Sequence, residues 1–531
     1  MILVTSSQMQ TIDRHTIEKV GIPGRVLMEN AGRGATQAFL RRLYTGGGRV
    51  GVLAGRGNNG GDGFVMARCL AHKGIDVRVY LLCSADRVEG DAAANLGLLP
   101  GASVPVIEIP DKQSLASRRG EMRHMAYWID AMLGTGLRSE VRGHYRRVIE
   151  FINQAQSPVL AVDIPSGLDA DTGQPWGVCV RAAATATFGC AKIGHLLQPG
   201  AQYCGPIDLI DIGIPPSAID HAGARQHLIS GKQVANILGR RSGEAHKGDQ
   251  GHVLVVAGSS GKTGAAAMTA TSALRAGAGL VTLATPQSLN PVSEVQVTEA
   301  MTLPLPDQGT GMALETAFDT LAQAAASKQV LAIGPGLGTA DPTRKLVSHL
   351  VRRIDRPLVI DADGLNNLAG QLDCLEGRKS ATILTPHPGE MARLTAISTS
   401  RIQQDRVAAA RALSMQSKTH VVLKGARTVI SAPDGAVWIN PTGNPGMASG
   451  GMGDVLTGLL AGLLAQGRTA LDACLAGVYL HGLAADMLAL ESPWGYLATE
   501  VMQAIPRAIH KVIISPPTPS IQEFWTPIIE P

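Results

Sequence analysis

The sequence predicts a two-domain α/β protein, and three of its features support that fold class. Its 531 residues suffice for two large domains, each able to bury its own core. Short β-branched runs alternate with amphipathic stretches through both halves, which is typical of parallel sheets covered by helices. Glycine is abundant, at 62 residues, and glycine-rich segments follow several of the predicted strands. We therefore expect two layered α/β domains rather than a disordered chain.

Composition argues against several functional classes. The net charge is +4 with scattered basic residues and 3% aromatics, so nucleic acid is not an expected partner. The seven cysteines form no CxxC pair and lie mostly in apolar runs, which favours a reduced, cytoplasmic protein. The longest apolar run, 455–465, has about 11 residues, short of the ~20 of a spanning helix, and the N-terminus lacks a secretory pattern. We expect a soluble homo-oligomer with no membrane segment.

Hydrophobic runs place the strands and the domain boundary. The first half contains predicted strands at 49–55, 76–82, 126–130, 158–163 and 206–213, with helices between them such as 64–73 and 145–155. The second half contains predicted strands at 252–258, 280–286, 329–336, 357–364, 381–390 and 420–425. The segment 215–234 lacks strong apolar periodicity, which predicts domains at 1–225 and 226–514. The proline-rich tail 515–531 is expected to be a loose extension or a tag-like end.

The segment GRGNNGGDG at 55–63 is a candidate phosphate-binding loop in the first domain. It follows a predicted strand and opens a predicted helix, so backbone N–H groups can face an anion. It differs from the dinucleotide fingerprint GxGxxG, because two Asn and an Asp stand among the glycines. A tight structural turn is the alternative, although the segment carries more polar atoms than a turn requires.

Two predicted strands of this domain end in aspartate, at Asp130 and Asp163. Loops at the carboxyl ends of parallel strands converge on one crevice, so both carboxylates are expected to lie near the glycine-rich segment. Asn59, Asp130 and Ser166 offer hard oxygen ligands for a cation, and Arg138 can bind a phosphate. The alternative for each aspartate is a helix cap or an ion-pair partner.

Residues 1–225 resemble the NAD(P)H-hydrate epimerase family. The resemblance rests on LMENAG at 27–32, the NNGGDG loop, and the DxxxGTG and DxPSG loops that begin at Asp130 and Asp163. It implies a Rossmann-like doubly wound sheet and a K+ ion among Asn59, Asp130 and Ser166. Asp163 is then the candidate catalytic proton carrier. The implied substrate contacts are Asn58, Asn59, Gly60, Gly61, Asp62, Gly134, Thr135, Gly136, Leu137, Arg138, Ser139, Glu140 and Asp163.

The second domain carries two glycine-rich segments, and they differ in how well they fit phosphate binding. GSSGKTG at 258–264 is not a Walker A loop, because that motif requires glycine where the chain has Val256. NPGMASGGMGD at 444–454 runs into an apolar helix, so backbone amides and the helix dipole can bind an anion beside Asp454. Phosphoryl transfer needs that pairing of an anion hole and a carboxylate. The alternative for Asp454 is a plain helix cap.

Residues 230–512 resemble the ADP-dependent NAD(P)H-hydrate dehydratases, which are ribokinase-like. The resemblance rests on HKGDQGHVLVVAGSSGKTGAA, IGPGLG, DADGLN, TPHPGEMARL, KGART and NPGMASGGMGD. It implies substrate contacts at Ala265, Gly336, His387, Pro388, Gly389, Glu390, Met391, Ala392, Arg393 and Asp454, the last also catalytic. It implies ADP contacts at Lys424, Gly425, Ala426, Arg427, Thr428, Asn444, Gly446, Ser449, Gly450, Gly451, Met452 and Gly453.

Two positions leave questions open. The family commonly has an aromatic residue before TGA, where this chain has Lys262, so ring stacking there is in doubt. His387 stands between prolines in TPHPGE and fits a ligand contact and a structural turn equally well.

Together the two resemblances imply a bifunctional NAD(P)H-hydrate repair enzyme. The first domain would interconvert the R and S epimers of hydrated NADH or NADPH. The second would phosphorylate the S epimer from ADP with Mg²⁺ on the nucleotide, release AMP and phosphate, and regenerate the dinucleotide. One alternative is a ribokinase-like kinase of a vitamin precursor or sugar, and another is a non-catalytic sensing or interaction module in the first half. The ADP or ATP preference and the NADH or NADPH preference stay open.

Overall fold

Two α/β units make up the computed structural model, which describes residues 1–516, and the predicted fold class is confirmed. The N-terminal unit spans residues 2–226, and the C-terminal unit spans the described residues from 227 onward. Most of the predicted tail, 517–531, lies outside the described residues.

The N-terminal unit is built on a parallel sheet. Its strands are β1 (Ile2–Val4), β2 (Arg49–Ala54), β3 (Val77–Leu81), β4 (Val106–Glu108), β5 (Met125–Ala131), β6 (Val159–Val162), β7 (Ala184–Phe188), β8 (Ala191–Lys192) and β9 (Ile207–Ile210). The sheet order is β4-β3-β2-β5-β6-β7-β9, and β1 pairs in parallel with β8. The strand order reverses between β2 and β5, which is where open α/β sheets bind ligands.

Helices cover both faces of this sheet. They are α1 (Ser6–His15), α2 (Gly24–Arg42), α3 (Asn58–His72), α4 (Gly90–Leu96), α5 (Lys112–Met122), α6 (Gly143–Gln154), α7 (Ala201–Cys204) and α8 (Pro216–His221). Two apolar clusters result, one including Phe39 and Phe64 and the other including Trp128 and Phe151. The two clusters bury opposite faces of the sheet, so the strand ends are what remains to form a site.

The C-terminal unit repeats this architecture with a different edge. Its strands are β10 (Gln226–Leu228), β11 (His252–Val256), β12 (Leu280–Pro286), β13 (Met301–Leu305), β14 (Val330–Ile333), β15 (Leu358–Ile360), β16 (Thr382–Leu384), β17 (His420–Leu423), β18 (Val429–Ser431) and β19 (Val437–Ile439). The order β13-β12-β11-β14-β15-β16-β17 is parallel, and β18 and β19 continue it antiparallel. The order reverses between β11 and β14.

The helices of the C-terminal unit include the two that position its candidate site, α10 and α18. They are α9 (Gly231–Leu238), α10 (Thr263–Arg275), α11 (Asn290–Gln296), α12 (Phe318–Ala325), α13 (Asp341–Arg353), α14 (Asp363–Leu368), α15 (Pro388–Thr395), α16 (Thr399–Gln404), α17 (Arg406–Ser417), α18 (Met452–Ala465), α19 (Ala470–Ala489) and α20 (Ala498–Ile514).

Several elements differ from the sequence predictions. The predicted loop 55–63 is mostly helix, because α3 begins at Asn58 and contains the NNGGDG residues. Strand β7 was not predicted, since its sequence ATATF has few bulky β-branched residues, yet every one of its residues is buried. The hairpin of β18 and β19 was also missed, because its strands are only three residues each.

Helix α19 is long and apolar enough to cross a bilayer by length and composition. However, 72% of its most apolar window is buried inside the protein, as in the core helix of a globular unit. It packs against α18 and α20 in the main apolar cluster of the C-terminal unit.

Close packing of α10 against α18 fixes the start of α18. The Ser272 hydroxyl donates to the Val455 carbonyl (2.6 Å), and the Thr269 hydroxyl donates to the Asp454 carbonyl (3.2 Å). Glycine allows this approach, since a Cβ on Gly458 would lie 2.1 Å from the Thr269 carbonyl oxygen. The backbone of Asp454 is therefore held by a neighbouring helix.

Replacing Gly458 by alanine should lower the free energy of unfolding of the C-terminal unit by about 1–3 kcal/mol, because the two helices must separate. Denaturant unfolding of the full chain measures this. Gly264→Ala is the matched control, since a Cβ there meets nothing within 4 Å, and its stability should be unchanged or slightly raised. Equal stability of both variants would contradict the packing argument.

Candidate functional sites

A cavity of about 890 Å³ lies in the N-terminal unit, lined by the segments that follow β2, β5 and β6. The strand ends meet there because the sheet order reverses between β2 and β5. Of the residues predicted for this site, those lining the cavity are Asn58, Asn59, Asp62, Gly134, Thr135, Gly136, Leu137, Arg138, Ser139 and Asp163. The predicted convergence of three loops therefore corresponds to one concave surface.

Three predicted contact residues do not line this cavity. A Cβ on Gly60 would lie 2.0 Å from the Gly55 carbonyl oxygen, and one on Gly61 would lie 2.6 Å from the Met28 sulfur. These two glycines permit close packing of α3. Glu140 is exposed and pairs with Arg142 (2.8 Å).

Asp130 and Ser166 form a fully buried pair behind the cavity. The Ser166 hydroxyl and backbone N–H donate to the two Asp130 carboxylate oxygens at 2.6 and 2.8 Å. The Leu133 N–H donates to the Ser166 hydroxyl oxygen (2.9 Å), which ties the loops after β5 and β6 together. Burial raises the pKa of Asp130 to about 6 despite these hydrogen bonds. No basic side chain within residues 1–516 pairs with this carboxylate.

Asn59, which also lies against the loop after β5, has an unsatisfied side chain. Both its amide oxygen and its amide nitrogen are buried and lack a hydrogen-bond partner in the described part of the chain. The amide oxygen would be 3.6 Å from a Cβ placed on Gly134, so it faces the loop after β5. A buried carboxylate without a cation and an orphaned amide oxygen are the donor set that a monovalent cation satisfies.

Asp163 lies at the end of β6 with a backbone φ of +65°, a conformation that side-chain-bearing residues rarely adopt. Its N–H donates to the Ala186 carbonyl (2.7 Å), and its own carbonyl contacts the His195 ring (3.1 Å). The strain is therefore held by neighbouring strands, as is common at functional sites. Its carboxylate lines the cavity and is 14% exposed.

Sequence analysis missed Lys192, which is 1% exposed and forms an ion pair with Asp163. The ammonium group also donates to the Thr187 hydroxyl (2.9 Å) and the Phe188 carbonyl (3.3 Å). Burial alone would raise the pKa of Asp163, but the Lys192 charge and hydrogen bond lower it below its usual range. A lysine in an apolar strand run gives no local sign of such a partner.

Two further carboxylates face the same lysine. Burial raises the pKa of Asp13 to about 6 and that of Asp62 well above its ordinary value, and the Asp163 charge adds to both shifts. Lys192 opposes both shifts. The inner end of the cavity thus combines one ammonium group with three carboxyl groups.

The mouth of the cavity is basic instead. Arg56, Arg87 and Arg138 are exposed and line it. No side chain caps the start of α3, whose first N–H groups therefore remain available to an anion. This end is suited to phosphate groups.

The strand ends of the C-terminal unit gather around Lys424 and Asp361. The Lys424 ammonium donates to an Asp361 carboxylate oxygen (2.5 Å) and lies 3.6 Å from Glu390. Thr457 of α18 donates to the other Asp361 oxygen (2.7 Å). Burial would lower the pKa of Lys424, but Asp361 and Glu390 raise it, so the lysine stays charged. Asp361 lies in the DADGLN motif, but sequence analysis assigned it no role.

Asp454 is partly buried in the first turn of α18, beside this cluster. Burial and the Asp361 charge raise its pKa to about 6. A carboxyl group with a pKa near neutrality can both accept and return a proton. No group of three His, Cys or acidic side chains within residues 1–516 is arranged to hold a metal on its own.

The backbone of the KGART loop is held by Arg406, a residue that was not predicted for this site. This buried guanidinium donates to the carbonyls of Ala426 (2.5 Å), Leu423 (3.0 Å) and Lys424 (3.1 Å). Arg427 adopts a φ of +57° and donates to the Pro441 carbonyl, which joins this loop to the next one. Gly425, Ala426 and Thr428 stay at least partly exposed.

The NPGMASGGMGD loop is fixed at one end and open at the other. Asn444 donates to Asp486 (2.9 Å) and accepts from the Tyr496 hydroxyl (2.5 Å). Ser449 and Gly450 are exposed, and a Cβ on Gly450 would meet nothing within 4 Å. The other predicted contacts, Gly446, Gly451, Met452 and Gly453, are more enclosed; the Met452 side chain belongs to the apolar core.

Lys262 makes a specific contact in place of the expected aromatic residue. Its ammonium donates to Asp363 (3.0 Å), which also accepts from the Gly338 N–H (2.9 Å). Ala265 and Gly336 are neighbours, since a Cβ on Gly336 would lie 3.3 Å from the Ala265 methyl group. A charged lysine–aspartate pair therefore lies beside these two predicted contact residues.

His387 acts as the N-cap of α15. Its Nδ1 accepts from the N–H groups of Gly389 (2.9 Å) and Glu390 (3.3 Å) while the ring remains 50% exposed. The structural role is therefore present, and Nε2 of the half-exposed ring lies 3.4 Å from a Glu390 carboxylate oxygen. Of the other predicted contacts here, Met391 is buried, Pro388 and Ala392 are partly exposed, and Arg393 is exposed and bonds Asn366 (3.1 Å).

Known proteins match both halves of the chain. A family model described as NAD(P)H-hydrate dehydratase matches residues 253–507, and one described as YjeF-related protein N-terminus matches residues 24–194. A Moorella thermoacetica protein named bifunctional NAD(P)H-hydrate repair enzyme Nnr is 42% identical over 92% of this chain and 92% of its own. A Leishmania infantum protein named bifunctional NAD(P)H-hydrate repair enzyme is 37% identical over 93% of this chain and 90% of its own.

A solved structure is similar to about half of this chain. An ADP/ATP-dependent NAD(P)H-hydrate dehydratase from Bacillus subtilis, co-crystallised with ATP and Mg²⁺, is 34% identical to this chain. It covers 54% of this chain and 98% of its own, with a TM-score of 0.49.

Replacing Ser166 by alanine should destabilise the N-terminal unit by about 1–3 kcal/mol, since Asp130 stays buried without its hydroxyl donor. Thermal unfolding of the full chain tests this. Ser117→Ala is the matched control, because the Ser117 hydroxyl bonds only a local carbonyl on an exposed helix, and it should change stability by less than about 0.5 kcal/mol. A neutral Ser166→Ala variant would contradict the structural importance of the buried pair.

Proposed function

Since the chain belongs to the family of bifunctional NAD(P)H-hydrate repair enzymes, we propose that it restores NADH and NADPH that have been hydrated at the nicotinamide ring. The N-terminal unit interconverts the R and S epimers of the hydrate. The C-terminal unit dehydrates the S epimer at the expense of ADP. The observation that carries the proposal is that each unit presents a strand-end or helix-start carboxylate, Asp163 or Asp454, beside a segment that can bind phosphate.

Epimerisation at the hydrated carbon needs a group that accepts a proton and returns it. Asp163 is that group in this proposal, because its carboxylate is ionised and faces the cavity. Water loss with re-addition and ring opening both need this transfer, and either can proceed with one carboxylate. The Asp62 carboxyl group, whose pKa is raised by burial and by Asp163, lies in the same cavity as a second binding group.

The charges that line the cavity favour one orientation of the substrate. Its basic mouth, at Arg56, Arg87 and Arg138, suits the pyrophosphate of a dinucleotide, and its acidic inner end suits the nicotinamide ring. The predicted contacts Asn58, Asn59 and Gly134 to Ser139 line the same cavity. This polarity supports a dinucleotide substrate over a small neutral metabolite.

A K⁺ ion would be held by Asn59, Asp130 and Ser166. The orphaned Asn59 amide oxygen and the Asp130 carboxylate without a cation fit such an ion. When bound, it would supply positive charge behind the loops after β5 and β6. Asp130 and Ser166 position those loops through their own hydrogen bonds.

In the C-terminal unit, Asp454 accepts the proton of the substrate hydroxyl while that hydroxyl receives a phosphoryl group. Phosphorylation converts a poor leaving group into phosphate. Loss of that phosphate together with a proton from the adjacent ring carbon regenerates the double bond, with AMP and phosphate as products. Backbone N–H groups of the loop at 449–453 and the start of α18 would bind the moving phosphoryl group. Lys424, fixed by Asp361, adds the positive charge that this step requires.

The nucleotide would lie along the KGART and NPGMASGGMGD loops. Mg²⁺ would neutralise its phosphates and be held mainly by them, since the described residues offer no complete protein cage. Burial and the neighbouring carboxylates raise the pKa values of Asp454 and Glu390, and this excess of carboxylates over Lys424 fits a cation nearby. We further propose a cytoplasmic homo-oligomer that acts on both NADH hydrate and NADPH hydrate.

Epimerisation should depend on K⁺ through Asn59. At constant ionic strength, replacing K⁺ by tetramethylammonium should lower the epimerisation rate, and Asn59→Ala should remove the K⁺ response because one oxygen ligand is lost. Exchange between the epimers is followed by chromatography, and dehydration of pure S epimer by the same variant is the control that should not change. An epimerisation rate independent of K⁺ in the native chain would contradict the cation site.

Replacing Asp454 by asparagine should lower kcat for dehydration of the S epimer about 10²–10⁴-fold, because the proton acceptor is lost while the side-chain shape is kept. The Kd of ADP should stay within about threefold. Asp319→Asn, an exposed aspartate on α12, is the control and should leave kcat unchanged. Full activity of Asp454→Asn would remove this residue from the mechanism.

A further inference from the structure

Lys192 is a buried lysine whose charge is completely satisfied at the proposed epimerase site. Its three N–H bonds go to the Asp163 carboxylate, the Thr187 hydroxyl and the Phe188 carbonyl. An ammonium group has three donors, so none remains for solvent. A lysine that is 1% exposed would otherwise be costly to keep charged, so the contact with Asp163 is what makes its burial tolerable.

The backbone around Lys192 holds the same aspartate from the other side. The Lys192 N–H donates to Nδ1 of His195 (3.2 Å), so Nε2 of that ring carries the proton and donates to the Asp163 carbonyl (3.1 Å). Burial and the Lys192 charge lower the pKa of His195 to about 3, so the ring is neutral. The side chain of Lys192 contacts the Asp163 carboxylate directly, and its main chain acts through His195. Together they hold Asp163 in its left-handed conformation.

We propose that Lys192 is a positioning residue of the epimerase: its ammonium keeps Asp163 an oriented carboxylate that can accept the substrate proton. This inference rests on the proposed epimerase function. In the ring-opening route, Asp163 takes the hydroxyl proton as the bond between the hydrated carbon and the ring nitrogen breaks, and it passes that proton to the nitrogen of the resulting amino-aldehyde. Attack of the nitrogen on the other face of the aldehyde re-forms the C–N bond, and Asp163 carries the proton back from nitrogen to oxygen. Lys192 stays an ammonium ion throughout, so it has no free electron pair and is not a nucleophile.

The charged groups around Asp163 explain why the Lys192 charge controls the pKa of Asp163. Asp13 of α1 and Asp62 of α3 face the same cluster and disfavour a further negative charge, and His195 is neutral. Lys192 is the charged group that opposes burial at Asp163.

The test is the pH profile of kcat/KM for epimerisation in Lys192→Met, Lys192→Gln and Lys192→Arg. Asp163 must be ionised to act as a base, so the acid limb follows its pKa. Removing the cation raises that pKa, and the acid limb of Lys192→Met and Lys192→Gln should move to higher pH by at least about one unit. Activity on the acid side should fall at least about tenfold and recover as the pH rises. Lys192→Arg should keep the acid limb within about half a unit of the native one.

Lys112→Met, which removes an exposed lysine of the same unit, is the matched control and should keep the native profile. Should Lys192→Met fail to fold, Lys192→Gln retains a hydrogen-bond donor without the charge and carries the test. The inference is overturned if Lys192→Gln keeps the native acid limb, or if it loses activity by one factor at every pH. Absence of epimerisation by the native chain would instead overturn the proposed function.

Discussion

A lysine paired with a strand-end aspartate lies at the centre of each unit, fully buried in the first and partly buried in the second. Lys192 pairs with Asp163 after β6, and Lys424 pairs with Asp361 after β15. A carboxylate buried at the end of a parallel strand stays ionised only when a cation or several donors compensate for lost hydration. These two pairs therefore permit charged groups to lie inside crevices that exclude much of the solvent.

The rest of each site is arranged around this constraint. In the N-terminal unit the loops after β5 and β6 are joined by Ser166, and the positive mouth lies at the opposite end of the cavity. In the C-terminal unit Thr457 of α18 bonds the same Asp361 that fixes Lys424, so the helix that carries Asp454 is tied to the pair. Binding surface and reactive carboxylate are in this way positioned by one hydrogen-bond network in each unit.

Hydrophobic runs predicted the central strands well, since 280–286 coincides with β12 and 49–55 exceeds β2 by one residue. Strand β7 was not predicted, because its buried alanine and threonine residues do not form a pattern typical of a strand. The strand-end aspartates could be predicted because parallel strands place their carboxyl ends together. Lys192 could not, because it lies 29 residues from Asp163 and only the tertiary fold brings the two together, and Arg406 could not, because its partners are backbone carbonyls.

The central claim is that two separate carboxylates in one chain complete one repair. Its most direct test is recovery of reduced-nicotinamide absorbance from an R and S mixture of NADH hydrate with ADP, using the native chain, Asp163→Ala and Asp454→Ala. The account predicts complete recovery by the native chain, recovery by Asp163→Ala that slows sharply once the S fraction is consumed, and almost none by Asp454→Ala. Complete recovery by Asp163→Ala at the native rate would contradict it.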